Sequence, residues 1–200
     1  TMSTPDGKRD ETVLVGVYVD DLFIISSHND EHSLYAQFTS QLQQSWKVED
    51  EGEVADLLNV QIERDGADVI LKQTSYIEKL MDTFSPDGVP SSMQATHAPC
   101  DSSLPQLVCD ALMQSADDID ASLLRNYQAI IGSLLYCATQ TRPDVAYSVG
   151  YLGRALAKPT PALYAAALRV LHYLYLHKEV GLRYHCSDRA MYGMSDSDWA

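Results

Sequence analysis

The sequence predicts an α+β fold, with antiparallel strands gathered in its first third and helices dominating the rest. Three observations carry this. Residues 13–27 read VLVGVYVDDLFIISS, two apolar and largely β-branched runs around a pair of aspartates. Residues 57–73 hold two alternating runs joined at Asp65-Gly66, a strong hairpin signal. From Asn126 onward apolar residues recur at helical spacing, broken at Pro143 and again at Pro159 and Pro161.

In the first run Val13, Val15, Val17 and Val19 alternate with Leu14, Gly16 and Tyr18, and Leu22-Phe23-Ile24-Ile25 returns. Both runs read as strands buried on at least one face. The short connection leaves room only for a tight hairpin with Asp20 and Asp21 at or beside its turn. A solvated turn explains one aspartate, because its carboxylate bonds nearby backbone N–H groups. The second sets a like charge beside the first, a cost unless a cation or strong donor compensates. Two carboxylates at the tip of a rigid hairpin also make a hard-oxygen site suited to Mg²⁺. Paired Mg²⁺ ions stabilise the attacking and leaving oxygens of phosphoryl transfer. On these residues alone both readings stand.

Asn29 or Asp30 is the expected cap of a helix to about Gln44. Leu34, Phe38 and Leu42 give it one apolar stripe, expected to pack on the sheet that carries the aspartates. His28-Asn29-Asp30-Glu31-His32 fits the spacing of some zinc peptidases, but His28 falls at a strand end, before the helix. The two histidines then share no helical face, and no zinc is expected. Residues 46–48 read as a short strand and residues 57–64 as a longer one. Thr74 or Ser75 is the expected cap of a helix carrying Tyr76, Ile77, Leu80, Met81 and Phe84. Residues 85–121, with Pro86, Pro90, Pro99 and Pro105 among many Ser and Asp, read as a linker.

Three antiparallel helices with short connections are expected beyond it. The first carries Tyr127, Ile130, Ile131, Leu134, Leu135 and Ala138. The second carries Ala146, Val149, Leu152 and Leu156 and runs to Ala157. The third carries Ala165, Leu168, Val170, Leu171, Leu174 and Tyr175.

Composition bounds the function. At 200 residues and 46% hydrophobic, the chain can bury a core as one domain or two small ones. No apolar run reaches the ~20 residues of a membrane span. Residues 1–11 are polar, so no secretory leader is expected. Cys100, Cys109, Cys137 and Cys186 form no CxxC pair and are expected as reduced thiols, with Cys137 in the core. The formal net charge of −14 argues against a free-standing nucleic-acid binder, since phosphate contacts need basic side chains.

Tyr18-Val19-Asp20-Asp21 resembles the Tyr-x-Asp-Asp box of reverse transcriptases, in the form typical of copia-type LTR retrotransposons. Further blocks follow in the order of that family's Pol polyprotein. Residues 57–84 are similar to its second hairpin and following helix, with Asn59 where the family has glycine. Ala98-Pro99-Cys100-Asp101 resembles a Thr-Pro-Leu segment, with Thr96 displaced. Gly132-Ser133-Leu134-Leu135-Tyr136, Thr141-Arg142-Pro143-Asp144, Arg169-Val170-Leu171-His172-Tyr173-Leu174 and Gly181-Leu182-Arg183-Tyr184 come next. The end, Tyr192-Gly193-Met194-Ser195-Asp196-Ser197-Asp198-Trp199-Ala200, resembles the first strand of a retrotransposon RNase H.

The resemblance implies a domain plan. Residues 1–84 would be the C-terminal part of a polymerase palm, with a primer-grip-like second hairpin. Residues 85–121 would be a linker, 122–180 a helical thumb or connection, and 181–200 the start of RNase H, with both ends cut from something longer. It also implies roles. Asp20 and Asp21 would be catalytic carboxylates on Mg²⁺, two ions in the intact parent, with Tyr18 and Val19 beside the primer terminus. Asp196 would be the first metal carboxylate of an incomplete RNase H site. Partners would be an RNA or DNA template-primer, deoxynucleoside triphosphates and the rest of the Pol polyprotein, inside the cell, in a cytoplasmic virus-like particle or the nucleus. The family draws another metal-binding Asp from a strand before the box, so this chain alone is expected to be inactive. The alternative is a non-catalytic remnant serving as an interaction domain.

Overall fold

The computed structural model describes residues 10–93, 97–113 and 119–186. The chain forms two compact units, residues 1–54 and 55–200.

In the first unit, strands β1 (Val13–Tyr18) and β2 (Asp21–Ser26) pair antiparallel in a two-stranded sheet, and helix α1 (Leu34–Ser45) follows. The expected buried face is not there. Leu14 is 59% exposed, Val17 69% and Ile25 52%. A two-stranded ribbon has two faces to cover, and no third strand or broad helix layer covers them among the described residues. The stripe on α1 does not lie across the hairpin either: Leu34 is buried, and Phe38 and Leu42 are half-buried.

The start of α1 also differs from expectation. Ser33 is the cap, its hydroxyl accepting from the Ala36 N–H at 3.2 Å. Asp30 instead builds the preceding turn, accepting from the His32 N–H at 3.1 Å through Oδ1 and from the Ser33 N–H at 3.0 Å through its carbonyl. His28 precedes the helix as expected, and so does His32, which the expected start had placed inside it. Residues 46–48 are not a strand. Trp46 closes α1, its N–H bonding the Leu42 carbonyl, and its ring is 70% exposed.

The second unit holds a sheet ordered β3 (Asp56–Leu57), β4 (Val60–Asp65), β5 (Asp68–Lys72) and β6 (Leu182–Tyr184), every neighbour antiparallel. The single strand expected over 57–64 is broken by a turn at Leu58 and Asn59, with φ of 54° and 62°. Two consecutive left-handed residues are what a type I′ hairpin demands. Asn59, standing where the family has glycine, is one of the few residue types that tolerate this region.

Helix α2 (Thr74–Phe84) starts with Thr74 already inside it, so neither Thr74 nor Ser75 caps it. Gln61 on β4 supplies the missing acceptor, its Oε1 taking the Ser75 N–H at 3.0 Å. Residues 85–121 are more than a linker. They contain helix α3 (Leu104–Met113), which buries Leu104, Val108 and Ala111.

Three further helices complete the unit: α4 (Ala121–Gln140), α5 (Ala146–Gly153) and α6 (Pro161–Leu176). Asp120 caps α4 through the Ser122 N–H at 2.8 Å, and Thr160 caps α6 through the Leu163 N–H at 3.2 Å. The core is one cluster drawn from α2 to α6. Four positions expected on apolar faces are exposed: Leu135, Ala146, Leu156 and Ala165. Leu135 is 51% exposed, while Cys137 one turn face away is fully buried. Helix α5 stops at Gly153, so Ala155 rather than Leu156 enters the core.

Residues 182–184 extend the sheet of the second unit. Gly181 lets β6 approach, because a Cβ there would lie 2.2 Å from the Leu71 carbonyl oxygen. Asp196, the rest of its RNase H-like block, and Thr96 lie outside the described residues. No helix among the described residues is long and apolar enough to cross a membrane.

Candidate catalytic hairpin

Tyr18 pairs with Asp21 across β1 and β2, leaving Val19 and Asp20 as a two-residue loop. Val19 takes φ 51° and Asp20 does not share the positive sign. That is the φ pattern of a type II′ turn, whose twist suits a tight hairpin. A β-branched residue in the left-handed region is strained, at about 1–2 kcal/mol. The strain falls at the tip, where Val19 is 82% exposed and gains no packing in return.

The register also sorts the side chains. Tyr18 and Asp21 are opposite one another and so share a face of the ribbon, with Gly16 and Phe23 next along it. Asp20 sits in the turn itself. Both carboxylates are exposed. They offer the hard oxygens that Mg²⁺ prefers. Yet among the described residues no group of three or more His, Cys, Asp or Glu could hold a metal. Mg²⁺ requires near-octahedral coordination, and a pair of ions requires carboxylates that reach both. Asp20 and Asp21 alone do not make a two-ion site.

One contributor to this unit escaped sequence reasoning. Glu11 is 6% exposed, and its Oε2 accepts from the Leu34 N–H at 2.7 Å. A buried carboxylate at the first turn of α1 satisfies an orphan donor and the helix dipole together. Its place in a polar stretch before β1 hid this role.

Several motif blocks of the second unit are tied together by hydrogen bonds. Arg142 is 1% exposed and forks onto Asp144, with Nε to Oδ1 at 3.0 Å and Nη2 to Oδ2 at 2.8 Å. Its Nη1 donates to the His177 carbonyl at 2.9 Å, and the Tyr173 hydroxyl donates to Asp144 Oδ2 at 3.0 Å. Burial pushes the Asp144 carboxyl up, but the Arg142 fork and the Tyr173 hydroxyl outweigh it and hold the group below its usual range. Thr141 donates to Gln73 Oε1 at 2.9 Å, tying the end of α4 to the start of α2. His172 is 5% exposed with Nε2 2.9 Å from the Ser85 hydroxyl, and burial pushes its imidazole down. Cys137 lies in the core, its thiol pushed up to about 12 by burial. Thr141-Arg142-Pro143-Asp144 is thus a joint between helices α2, α4 and α6.

Residues 4–93 match the family described as reverse transcriptase (RNA-dependent DNA polymerase). The chain is 30% identical to a putative transposon Ty5-1 protein of Saccharomyces cerevisiae, over 91% of this chain and 54% of that one. It is 27% identical to the retrovirus-related Pol polyprotein from transposon TNT 1-94 of Nicotiana tabacum, over 94% of this chain and 14% of the polyprotein. An uncharacterized mitochondrial protein of Arabidopsis thaliana is 29% identical, over 92% of this chain and 70% of its own length. The chain therefore spans about half of the first relative and a small part of the second. No solved structure matches it.

Proposed function

Because the chain belongs to the reverse transcriptase family of copia-type retrotransposon Pol polyproteins, we propose that it is a segment of an RNA-directed DNA polymerase and that its β1–β2 hairpin carries part of the catalytic site. The observation that carries this is Tyr18-Val19-Asp20-Asp21 at a hairpin tip, with both aspartates exposed, inside the stretch that matches the family.

In a longer parent that adds further carboxylates, Asp20 serves as the main metal-binding carboxylate and Asp21 supports it. Tyr18 and Val19 lie beside the primer end. The substrates are an RNA or DNA template-primer and deoxynucleoside triphosphates, and two-metal nucleotidyl transfer is the reaction of that parent. Residues 1–84 correspond to the C-terminal part of the palm, residues 122–180 to thumb or connection, and residues 181–200 to the start of RNase H, with Asp196 its first metal carboxylate. The protein works inside the cell with the rest of the Pol polyprotein.

The test is primer extension on an RNA template with Mg²⁺. Three proteins are compared: this 200-residue chain, a longer Pol polyprotein carrying it, and that polyprotein with Asp20→Asn. The chain alone is expected not to extend, and Asp20→Asn is expected to cut the parent by about a hundredfold or more. Full activity of the Asp20→Asn parent would remove the assignment.

A further inference from the structure

Helices α3 and α6 line a cleft of about 280 Å³. On the α6 side Ala162, Ala165 and Ala166 share one helical face, and Arg169 follows one turn later. Leu104 and Leu107 of α3 line it from the other helix, and Asp101 stands beside Arg169. Three alanines in place of longer side chains leave this space open. Sites for drug-sized ligands run from about 300 to 1,000 Å³. This cleft is smaller, and its size fits one short apolar chain with its terminal group.

The fold leaves Arg169 partly unused. At the joint, Arg142 has an acceptor for each of its three nitrogens. Arg169 does not. Its Nη1 lies 3.4 Å from Asp101 Oδ2, beyond the usual range of about 2.7–3.2 Å. Asp101 is committed elsewhere, its Oδ1 accepting from the Ser103 N–H at 2.9 Å and from the Ser103 hydroxyl. Arg169 Nε is shielded from solvent and has no hydrogen-bond partner among the described residues. A buried donor without an acceptor keeps its full desolvation cost. The Arg169 side chain is 31% exposed, so its guanidinium has room to turn toward an acceptor. The ion pair with Asp101 accounts for Nη1 and leaves Nε unexplained.

We propose that this cleft binds a small monocarboxylic acid with a branched apolar tail, the tail against the alanines and Leu107 and the carboxylate on the Nε edge of Arg169. The ligand class follows from chemistry. A carboxylate accepts from two guanidinium N–H groups at once, and the side-on fork uses Nε, the nitrogen the fold leaves unmet. The walls are alanine and leucine, which reward an apolar tail. Asp101 beside the same guanidinium repels a second negative charge, so a singly charged group fits better than a phosphate dianion. The site lies within the second unit and does not depend on the polymerase reading.

The experiment is a methyl NMR titration of this chain, labelled at its Ala and Leu methyls, with 4-methylpentanoate at neutral pH. The methyls of Ala165, Ala166 and Leu107 should shift together with a Kd on the order of 1 mM, the level expected for about eight non-hydrogen atoms. 4-Methylpentanamide has the same shape without the charge and should bind at least about fivefold more weakly. Arg169→Gln should weaken the acid by about the same factor and leave the amide within about twofold. Asp101→Asn should tighten the acid about two- to threefold by removing the competing charge. Ala166→Leu fills the cleft and should abolish both. The acid–amide comparison uses the unaltered chain and stands even where a variant fails to fold. Shifts centred on Leu14 and Leu22 of the exposed ribbon, an acid and amide that bind alike, or no saturable shift at all would overturn the site.

Discussion

The two units of this chain differ in how they treat their apolar side chains. In residues 1–54 the described apolar side chains are mostly wet: β1 and β2 make a two-stranded ribbon, and Leu34 is the buried hydrophobic. In residues 55–200 five helices share one dry cluster, and even the polar residues at its edge are bonded across elements. The residues that resemble a catalytic box therefore sit where little packing holds them. The blocks that look least catalytic, Thr141-Arg142-Pro143-Asp144 among them, hold the fold. Not every block that resembles the family need be chemical; this one builds a joint from an Arg fork and a threonine hydroxyl.

Substitutions can break this contrast. The largest effect is expected at the joint. Asp144→Ala leaves the Arg142 guanidinium, 1% exposed, with little more than the His177 carbonyl. A cost of about 3 kcal/mol is expected in urea unfolding, because a buried charge loses its partner. Next is Gly181→Ala, whose Cβ collides with the Leu71 carbonyl and Lys72 side chain. A loss of about 1–3 kcal/mol is expected, with faster exchange of the amides that pair β5 with β6.

Relief of strain sharpens the comparison. Leu58→Gly and Val19→Gly both remove a left-handed side chain, at φ 54° and 51°. The same chemical gain, about 1 kcal/mol, should raise the melting temperature by a few degrees at Leu58. At Val19 it should leave the main transition in place, because the hairpin is not part of the unit that melts there.

The smallest effect is one of pH. Burial lowers the His172 imidazole below its ordinary 6.5. The unfolded chain then takes the proton first. The contribution is complete above about pH 6.5 and is lost as pH falls toward the folded value. Urea unfolding at pH 7.5 and 5.5 should show this loss, and His172→Gln should reduce it.

Much of this fold was legible. Alternation with Asp20 and Asp21 fixed the first hairpin, and Asp65-Gly66 fixed a second, since both signals are local. Helix α3 was hidden because its short run, Leu104, Val108 and Ala111, lies among prolines and serines that mimic a linker. Caps were misplaced where the acceptor came from far away: Gln61 for α2 and Glu11 beside Ser33 for α1. The exposure of the first hairpin could not be read from Val13 to Ile25, because apolar content tells what a strand can bury and not whether a neighbour covers it. The distribution of charge, by contrast, can be read directly from the sequence. A total of −14 averages a basic helical stretch with acidic segments elsewhere.

The contrast in packing between the units is tested most directly by native-state amide hydrogen exchange across the whole chain. Amides of Leu134 in α4 and Leu171 in α6, both fully buried, should exchange only through global unfolding. Those of Val15, Val17 and Ile24 should exchange through a local opening that costs far less and does not respond to Asp144→Ala. Hairpin amides as protected as those of α4, and weakened by Asp144→Ala to the same extent, would contradict the account.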